Sequence, residues 1–328
     1  MPPTLLIDAH NHQLMGAALP NDLDVVVFES PERLLRKGER VSAADVEATA
    51  AFLSFELMFS GHVKEFLALA QQSGTLNWVH TAATGLDNPL FGNLARAGVR
   101  ISNSHAQAPA IAETVVASVL ALYQRIPERI TLQAQQEWKR ITFRELAGSH
   151  WLMVGFGAIG RGIAERARPF GCQITAMRRS QTADPLADRT VPLEAIAEEI
   201  ETADVVVAAT PLSAATRNLF DAALFERMRP GATFVNVARG AVADEAALIQ
   251  GLQSGRPAQA VLDVFATEPL PIDSPLWTMP NVLITPHASN AGDQVADRRA
   301  QVFIDNLSAW LADGSLLTEV PPADIPGS

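Results

Sequence analysis

The sequence of 328 residues has little of several features that would each indicate a particular class of protein. It contains one cysteine, Cys172, so an internal disulfide is excluded and a cytoplasmic location is expected. The N-terminal stretch lacks a basic segment followed by a long apolar one, so we expect no signal peptide. Every apolar run is shorter than the roughly 18 residues that span a bilayer, so we expect no membrane partner.

Positive charge is also scarce. The chain has 25 Lys and Arg against 36 Asp and Glu, and the net charge of −11 argues against a nucleic-acid partner. The composition is otherwise that of an ordinary globular protein, with 48% hydrophobic and 19% charged residues. A chain of this length is long for one hydrophobic core, so we predict two domains.

The middle of the chain contains a dinucleotide-binding pattern. The apolar run Trp151 to Val154 is followed by Gly155, Gly157 and Gly160 at G-x-G-x-x-G spacing, and then by a helical pattern. The first glycine permits a tight turn, the second lets the backbone approach a pyrophosphate, and the third lets the helix pack on the strand. The helix begins at Ala158-Ile159, where unpaired N–H groups would face the phosphates.

The second strand of this pattern, Gln173 to Met177, indicates which dinucleotide is preferred. NAD-binding folds usually place an acid there to hold the ribose 2′-OH. Here Arg178, Arg179 and Ser180 follow the strand, and the first acid is Asp184. Guanidinium groups match phosphate oxygens, so we predict that NADP(H) is preferred, with NAD(H) as the alternative. The competing interpretation is that both arginines are exposed charges at a strand end.

Apolar runs typical of buried strands alternate with helical patterns along the whole chain, which predicts an α/β fold with a doubly wound parallel sheet. Before the glycine turn, strands are predicted at 4–7, 24–28, 51–55, 78–81 and 99–102, and helices at 43–48, 63–71 and 108–125. After it, strands are predicted at 205–209, 233–237, 260–264 and 282–285, and helices at 191–200, 246–253 and 293–311.

Three residues in loops at strand ends have side chains that can take part in a reaction, and ligands bind at the carboxyl ends of parallel strands. Arg239 could bind an anion such as a carboxylate through its fork of donors. His287 could donate or accept a proton, since histidine titrates near neutral pH. Glu268 could fix the imidazole by bonding its other ring nitrogen.

A second motif, Asp8-Ala9-His10-Asn11-His12, has the H-x-H form found in metal-dependent hydrolases. Such a site needs further histidine and aspartate ligands at later strand ends. The remaining histidines do not fall in that pattern, so we interpret His10 and His12 as surface or loop residues and predict no metal.

The ordered motifs of the chain resemble the D-isomer-specific 2-hydroxyacid dehydrogenase family. The matching stretches are N-V-A-R-G at 236–240, L-D-V-F-A-T-E-P-L at 262–270, I-T-P-H at 284–287, S-G-R-P-A-Q-A at 254–260, R-I-P at 125–127, Trp138 and the glycine turn. The resemblance implies that Arg239, Glu268 and His287 form the active site. It also implies that Asp263 contacts the nicotinamide carboxamide.

Further site residues follow from the same resemblance. The backbone of Ala83-Thr84-Gly85 is the implied cradle for the substrate carboxylate, and N–H groups in such a loop suit that role. The loops containing Pro211 and Ala238 are implied to contact the cofactor.

The resemblance also implies an architecture. A Rossmann nucleotide domain, 105–287, is inserted in a smaller flavodoxin-like substrate domain formed by 1–104 and 288–328. A homodimer is implied through the helix at 110–123, with Trp138 reaching the neighbouring subunit or anchoring its own segment. Phe55, Leu57 and Met58 either shape the substrate pocket or pack in the core of the small domain.

The paired arginines resemble the NADPH-using glyoxylate and hydroxypyruvate reductase branch. We therefore expect NADPH-dependent reduction of a short 2-keto acid to the D-2-hydroxy acid. The alternative is a non-catalytic NAD(P)-binding regulator on the same fold, which the complete set of reactive residues disfavours. A formate dehydrogenase is disfavoured because the histidine's expected partner is Glu268 rather than a glutamine.

Overall fold

A computed structural model describes residues 3–180 and 182–327 and divides the chain into two compact units. Unit 1 consists of Met1–Ala106 and Asp293–Ser328, and unit 2 consists of Gln107–Gly292. The unit boundaries therefore fall at Ala106 and Gly292, where 104 and 287 were expected. Among the described residues, none of the helices has both the length and the apolarity needed to cross a bilayer.

The elements of the described residues alternate as the apolar pattern predicts. The strands are β1 Thr4–Asp8, β2 Asp24–Ser30, β3 Arg33–Arg36, β4 Glu39–Val41, β5 Ala50–Leu53, β6 Trp78–Thr81, β7 Arg100–Asn103, β8 His150–Val154, β9 Gln173–Met177, β10 Arg189–Val191, β11 Val205–Ala208, β12 Thr233–Asn236, β13 Gln259–Leu262 and β14 Val282–Ile284. The α-helices are α1 Ala9–Met15, α2 Phe55–Phe59, α3 Val63–Gln71, α4 Pro89–Arg96, α5 Ala108–Tyr123, α6 Ile126–Ala134, α7 Ala158–Ala167, α8 Ile196–Glu199, α9 Ala222–Arg227, α10 Glu245–Ser254 and α11 Val295–Asp313.

Unit 1 is built on a sheet with the order β4-β3-β2-β1-β5-β6-β7. Five neighbouring strands of this sheet are parallel, namely β2, β1, β5, β6 and β7. Strands β3 and β4 extend the sheet beyond β2 as an antiparallel hairpin. All residues of β1, β5 and β6 are buried, as expected for parallel strands covered on both faces. Helix α11 covers one face, where the ring of Phe303 lies 4.6 Å from that of Phe52.

Unit 2 contains an entirely parallel sheet with the order β10-β9-β8-β11-β12-β13-β14. Helices cover both faces, and one core cluster includes Ile111, Val115 and Val119 of α5 packed with Ile163 of α7. The predicted doubly wound fold is confirmed. Strand order reverses at β8, which pairs with β9 on one side and β11 on the other, so the glycine turn lies at the point where such sheets bind ligands.

Three local predictions were wrong. Residues 43–48 form one 3-10 turn followed by extended chain, because Val46 and Ala48 are buried on alternate positions, a strand period rather than a helical one. Residues 191–200 are not one helix: Val191 ends β10, and after Pro192 a 3-10 turn, Leu193–Ala195, leads into the short α8. Phe55–Phe59 form helix α2 rather than a strand end and loop, and Ser54 caps it by accepting a hydrogen bond from the backbone N–H of Leu57 at 3.0 Å.

Candidate active site

The three glycines of the turn after β8 lie in different surroundings, so the lack of a side chain matters for a different reason at each of them. Gly155 has φ +100°, and a Cβ there would lie 2.4 Å from the carbonyl oxygen of Ala209. A Cβ on Gly160 would lie 2.3 Å from the carbonyl oxygen of Gly155, whereas one on Gly157 would meet nothing within 4 Å. The first and third glycines are thus required by close backbone packing, and the second faces open space that a pyrophosphate could enter.

Helix α7 begins in that open space. Gly157 is its N-cap and offers no side chain to bond the first N–H groups of the helix. Those groups, with the positive end of the helix dipole, suit an anionic ligand. Ala158 and Ile159 form the first turn, as predicted for a phosphate-binding segment.

The Arg178 side chain, directly after β9, forms hydrogen bonds and an ion pair within its own loop, which the sequence did not indicate. The Arg178 side chain donates from Nε to the carbonyl oxygen of Ser180 at 3.1 Å, and its Nη1 lies 3.4 Å from Oδ2 of Asp184. Asp184 is buried and also pairs with Arg161. Arg179 and Ser180 are exposed. The assignment of these residues to a 2′-phosphate stays a prediction.

His287 and Glu268 are brought together as predicted. Nδ1 of His287 lies 2.8 Å from Oε2 of Glu268, whose Oε1 accepts a hydrogen bond from the backbone N–H of Phe265 at 3.0 Å. The carboxylate is therefore held from the backbone and can hold the ring in turn, with the proton on Nδ1. Within the described residues Nε2 of His287 makes no hydrogen bond, which leaves it for a reacting group.

The loop that carries His287 is fastened by Asp263. His287 has φ +51° and donates its backbone N–H to the Asp263 carbonyl oxygen at 2.8 Å. The buried Asp263 carboxylate accepts from Thr285 Oγ1 at 2.7 Å, from Ala288 N at 2.9 Å, and from both N and Oγ of Ser289. These four bonds use the lone pairs of a carboxylate, so Asp263 positions the histidine loop. The predicted contact of Asp263 with a carboxamide stays a prediction.

Arg239 lies on the loop after β12. The side chain of Asn236 braces this loop by accepting from Ala238 N at 3.1 Å and donating to the Arg239 carbonyl oxygen at 3.1 Å. The next residue, Gly240, packs so closely that a Cβ there would lie 1.9 Å from the carbonyl oxygen of Phe265. Because Phe265 also bonds Glu268, the Arg239 loop and the Glu268 loop form one packed assembly. No local sequence pattern indicates this contact.

Arg239, Glu268 and His287 follow β12, β13 and β14, which are neighbours in one parallel sheet. Their loops therefore leave the same edge of unit 2. A half-buried cation, a carboxylate and an imidazole at one edge can bind an anion and move a proton. This arrangement is that of a general acid or base with an anion-binding partner.

The other predicted site residues lie on connecting loops. Ala83 N donates to Thr81 Oγ1 at 3.2 Å, and Thr84 Oγ1 donates to the Ser104 carbonyl oxygen at 2.8 Å. Among the described residues, Gly85 N makes no backbone hydrogen bond, so it is a candidate donor to a ligand. Pro211, after β11, accepts a hydrogen bond from Thr216. The substrate and cofactor roles of these residues stay predictions.

The H-x-H motif lies in α1. Asp8 caps this helix by accepting from Asn11 N at 3.0 Å, and His10 and His12 lie within the helix. In the part of the chain that the structure describes, no three His, Cys, Asp or Glu side chains are grouped as a metal site.

Several exposed apolar side chains of unit 2 lie in the segment after the predicted interface helix rather than on that helix. Most of α5 is buried within its own unit, and the segment that follows it exposes Ile126 and Ile130 of α6, Trp138, at 105% exposure, and Phe143. Elsewhere in the described part of unit 2, Phe170, Ile272 and Trp277 are also exposed. In unit 1, Leu57 is buried and Met58 packs against the core, whereas Phe59 is 75% exposed.

Comparison with known proteins identifies relatives of this chain. Residues 116–289 match the family model described as D-isomer specific 2-hydroxyacid dehydrogenase, NAD binding domain. The chain is 34% identical to glyoxylate/hydroxypyruvate reductase B of Citrobacter koseri over 268 residues, which cover 78% of this chain and 82% of that protein.

Two solved structures are similar over almost the whole chain. A D-isomer specific 2-hydroxyacid dehydrogenase family protein from Aeromonas salmonicida has a TM-score of 0.80 at 29% identity, with 98% of this chain and 100% of that chain covered. A D-isomer specific 2-hydroxyacid dehydrogenase from Xanthobacter autotrophicus, in complex with NADPH and MES, has a TM-score of 0.78 at 27% identity, with 98% and 99% covered.

Proposed function

Because this chain belongs to the D-isomer specific 2-hydroxyacid dehydrogenase family, we propose that it reduces a short 2-keto acid to the D-2-hydroxy acid with NADPH. Glyoxylate and hydroxypyruvate are the proposed substrates, in line with the names of the relatives. The observation that carries the proposal is the 2.8 Å hydrogen bond between His287 and Glu268, at the sheet edge that also bears Arg239.

The reaction needs three actions at the carbonyl group. Arg239 binds the substrate carboxylate and the carbonyl oxygen, which places the carbonyl carbon and polarises it. The nicotinamide, when bound, supplies the hydride to that carbon. His287 Nε2 donates a proton to the oxygen as negative charge develops there, and Glu268 stabilises the ring while it is an imidazolium. His287 then regains a proton from solvent, and in the oxidation direction its neutral form is the base.

The cofactor is proposed to bind at the turn after β8. The open space at Gly157 and the uncapped start of α7 support a pyrophosphate there. We propose that Arg178 and Arg179 bind the 2′-phosphate, with NAD(H) used more slowly. The NADPH complex of the Xanthobacter autotrophicus protein supports a phosphorylated cofactor. The ion pair between Asp184 and Arg178 weighs in part against this role, because the Asp184 carboxylate already partners the guanidinium.

We also propose a homodimer in a cytoplasmic setting. Three exposed apolar side chains, those of Ile130, Trp138 and Phe143, support a subunit contact at α6 and the segment after it. The single Cys172 supports a reducing compartment.

Initial rates test the proposal directly. NADPH and NADH are each assayed against glyoxylate, hydroxypyruvate, pyruvate and phenylpyruvate by cofactor absorbance. We expect turnover of the short acids, faster with NADPH, and a loss of about 100-fold or more in kcat for His287→Asn. Equal rates with both cofactors would refute the phosphate clamp. Tight NADPH binding without turnover of any acid would favour a non-catalytic regulator.

A further inference from the structure

The loop after β14 curls around a buried carboxylate of its own unit. The backbone N–H groups of Ala288 and Ser289 both donate to Oδ1 of Asp263, at 2.9 and 3.0 Å. The preceding N–H, that of His287, donates to the Asp263 carbonyl oxygen at 2.8 Å. Three successive N–H groups thus point to one residue, two of them to its carboxylate. Consecutive N–H groups in a turn form a concave site for an anion, and here the side chain of Asp263 fills it.

This arrangement holds the backbone of His287 in an unusual conformation. Its φ of +51° lies in the left-handed region, which a residue with a side chain rarely adopts unless its surroundings impose it. The bond to Glu268 holds the imidazole ring through Nδ1, whereas Asp263 holds the backbone that carries the ring. The direction of Nε2, the atom proposed to donate the proton, therefore depends on both contacts.

The two oxygens of the Asp263 carboxylate differ in how many donors they have. Oδ1 accepts three hydrogen bonds, from Ala288 N, Ser289 N and Thr285 Oγ1, whereas in the described part of the chain Oδ2 accepts one, from the Ser289 hydroxyl. Asp263 is 3% exposed, and these hydrogen-bond partners are all uncharged. A buried carboxylate oxygen without a donor is costly, so removal of the Ser289 hydroxyl should make the carboxylate turn or admit water.

We propose that Ser289 is a positioning residue for the reaction: its hydroxyl fixes Oδ2 of Asp263, and the fixed carboxylate holds the turn that directs His287 at the substrate. This inference rests on the proposed function, because it concerns the same proton donor. Ser289 acts through Asp263 and the backbone, without contact to the reacting atoms. Its removal should therefore affect the alignment of the imidazole, and hence kcat, rather than the binding of the keto acid by Arg239.

The test removes this hydroxyl alone. Steady-state rates with NADPH and hydroxypyruvate or glyoxylate are measured for Ser289→Ala, and for Ser289→Cys, which keeps a similar volume but has only a weak donor. We expect kcat to fall by about tenfold in Ser289→Ala and by less in Ser289→Cys, with KM for the keto acid within about twofold of the wild type. Thr285→Val is the matched control, because it removes the other hydroxyl from the same carboxylate but leaves Oδ1 two N–H donors. It should change kcat by less than about threefold.

A double-variant cycle separates positioning from a general structural role. If Ser289 acts through His287, adding Ser289→Ala to His287→Asn should cause no further loss of kcat, because the group that it directs is already absent. A general structural role would give losses that multiply. Multiplied losses, or a wild-type kcat in Ser289→Ala, would overturn the proposal. Should Ser289→Ala fail to fold, Ser289→Cys takes its place in both measurements, and a wild-type kcat there would overturn it.

A measurement without turnover keeps this inference distinct from the proposed function. In enzyme labelled with ¹⁵N at histidine, the ring signals of His287 are identified by their loss in His287→Asn. They should shift or broaden in Ser289→Ala and keep their wild-type positions in Ser254→Ala, which removes an exposed serine hydroxyl from α10. A wild type inactive with every acid would reject the proposed function. Unchanged His287 ring signals in Ser289→Ala would reject the positioning role, whatever the activity.

Discussion

His80 makes the stability of unit 1 depend on pH. Its side chain is completely buried on β6, with Nδ1 2.7 Å from Ser102 Oγ and the rings of Phe52 and Phe303 at 5.7 and 5.5 Å. Burial lowers the pKa of His80 from 6.5 to about 3, because the apolar surroundings disfavour the charged ring. Between these values the unfolded chain binds a proton that the folded chain does not, so stability is complete above pH 6.5 and falls as the pH drops towards 3.

The size of the effect follows from the shift. One pH unit corresponds to about 1.4 kcal/mol, so at pH 4.5, two units below the unfolded value, His80 should cost about 3 kcal/mol. The full shift would cost about 5 kcal/mol near pH 3, as an order of magnitude. Losses of this size are a large fraction of the stability of an ordinary domain.

The assay is urea unfolding between pH 7.5 and pH 4.5, monitored by tryptophan fluorescence, since the indole of Trp78 lies against His80. His80→Gln should be less stable than the wild type at pH 7.5 but lose about 3 kcal/mol less on acidification. His62→Gln, at an exposed histidine, is the matched control and should follow the wild type. Parallel stability curves for the wild type and His80→Gln would refute the reasoning, because they would mean that the folded protein protonates His80 as readily as the unfolded chain.

Three further changes test the site and the surface. Gly240→Ala must displace a loop whose carbonyl oxygen lies 1.9 Å from the new Cβ, so kcat/KM should fall by about 100-fold while Gly16→Ala, in open space, has no effect. Glu268→Gln should lower kcat by about 100-fold and alter the pH profile of kcat/KM, whereas Glu245→Gln, which bonds the same loop, should do neither. Trp138→Ala should weaken dimerisation in sedimentation equilibrium, and unchanged association and kinetics would exclude a contact there.

Most of the strand positions and the reactive side chains could be predicted from the local sequence. Apolar runs of four or five residues are enough to identify buried parallel strands, because both faces of such strands are covered. The loops after β12, β13 and β14 then bear Arg239, Glu268 and His287. Residues in loops at the carboxyl ends of neighbouring parallel strands share one sheet edge, so their grouping was predictable.

Short and irregular elements were less predictable from local pattern. The alternate burial of Val46 and Ala48 belongs to an extended segment, although the same letters fit a short helix. The β3–β4 hairpin was missed, since its exposed arginines and glutamate resemble a polar loop and it turns through Lys37 and Gly38 at positive φ. In such segments a few contacts with the rest of the sheet outweigh intrinsic preference.

The tertiary structure alone brings Gly240 against Phe265, Ser289 beneath Asp263, and Arg299 over Phe55. Each contact joins residues far apart in the chain, on loops or helices whose relative positions depend on strand register and on the packing of the core. A residue's own neighbours in sequence report which face is apolar and where the chain turns, because those depend on spacings of two to four positions. Sequence neighbours do not indicate which distant segment will lie within hydrogen-bonding distance, because that depends on the register and packing of the whole sheet.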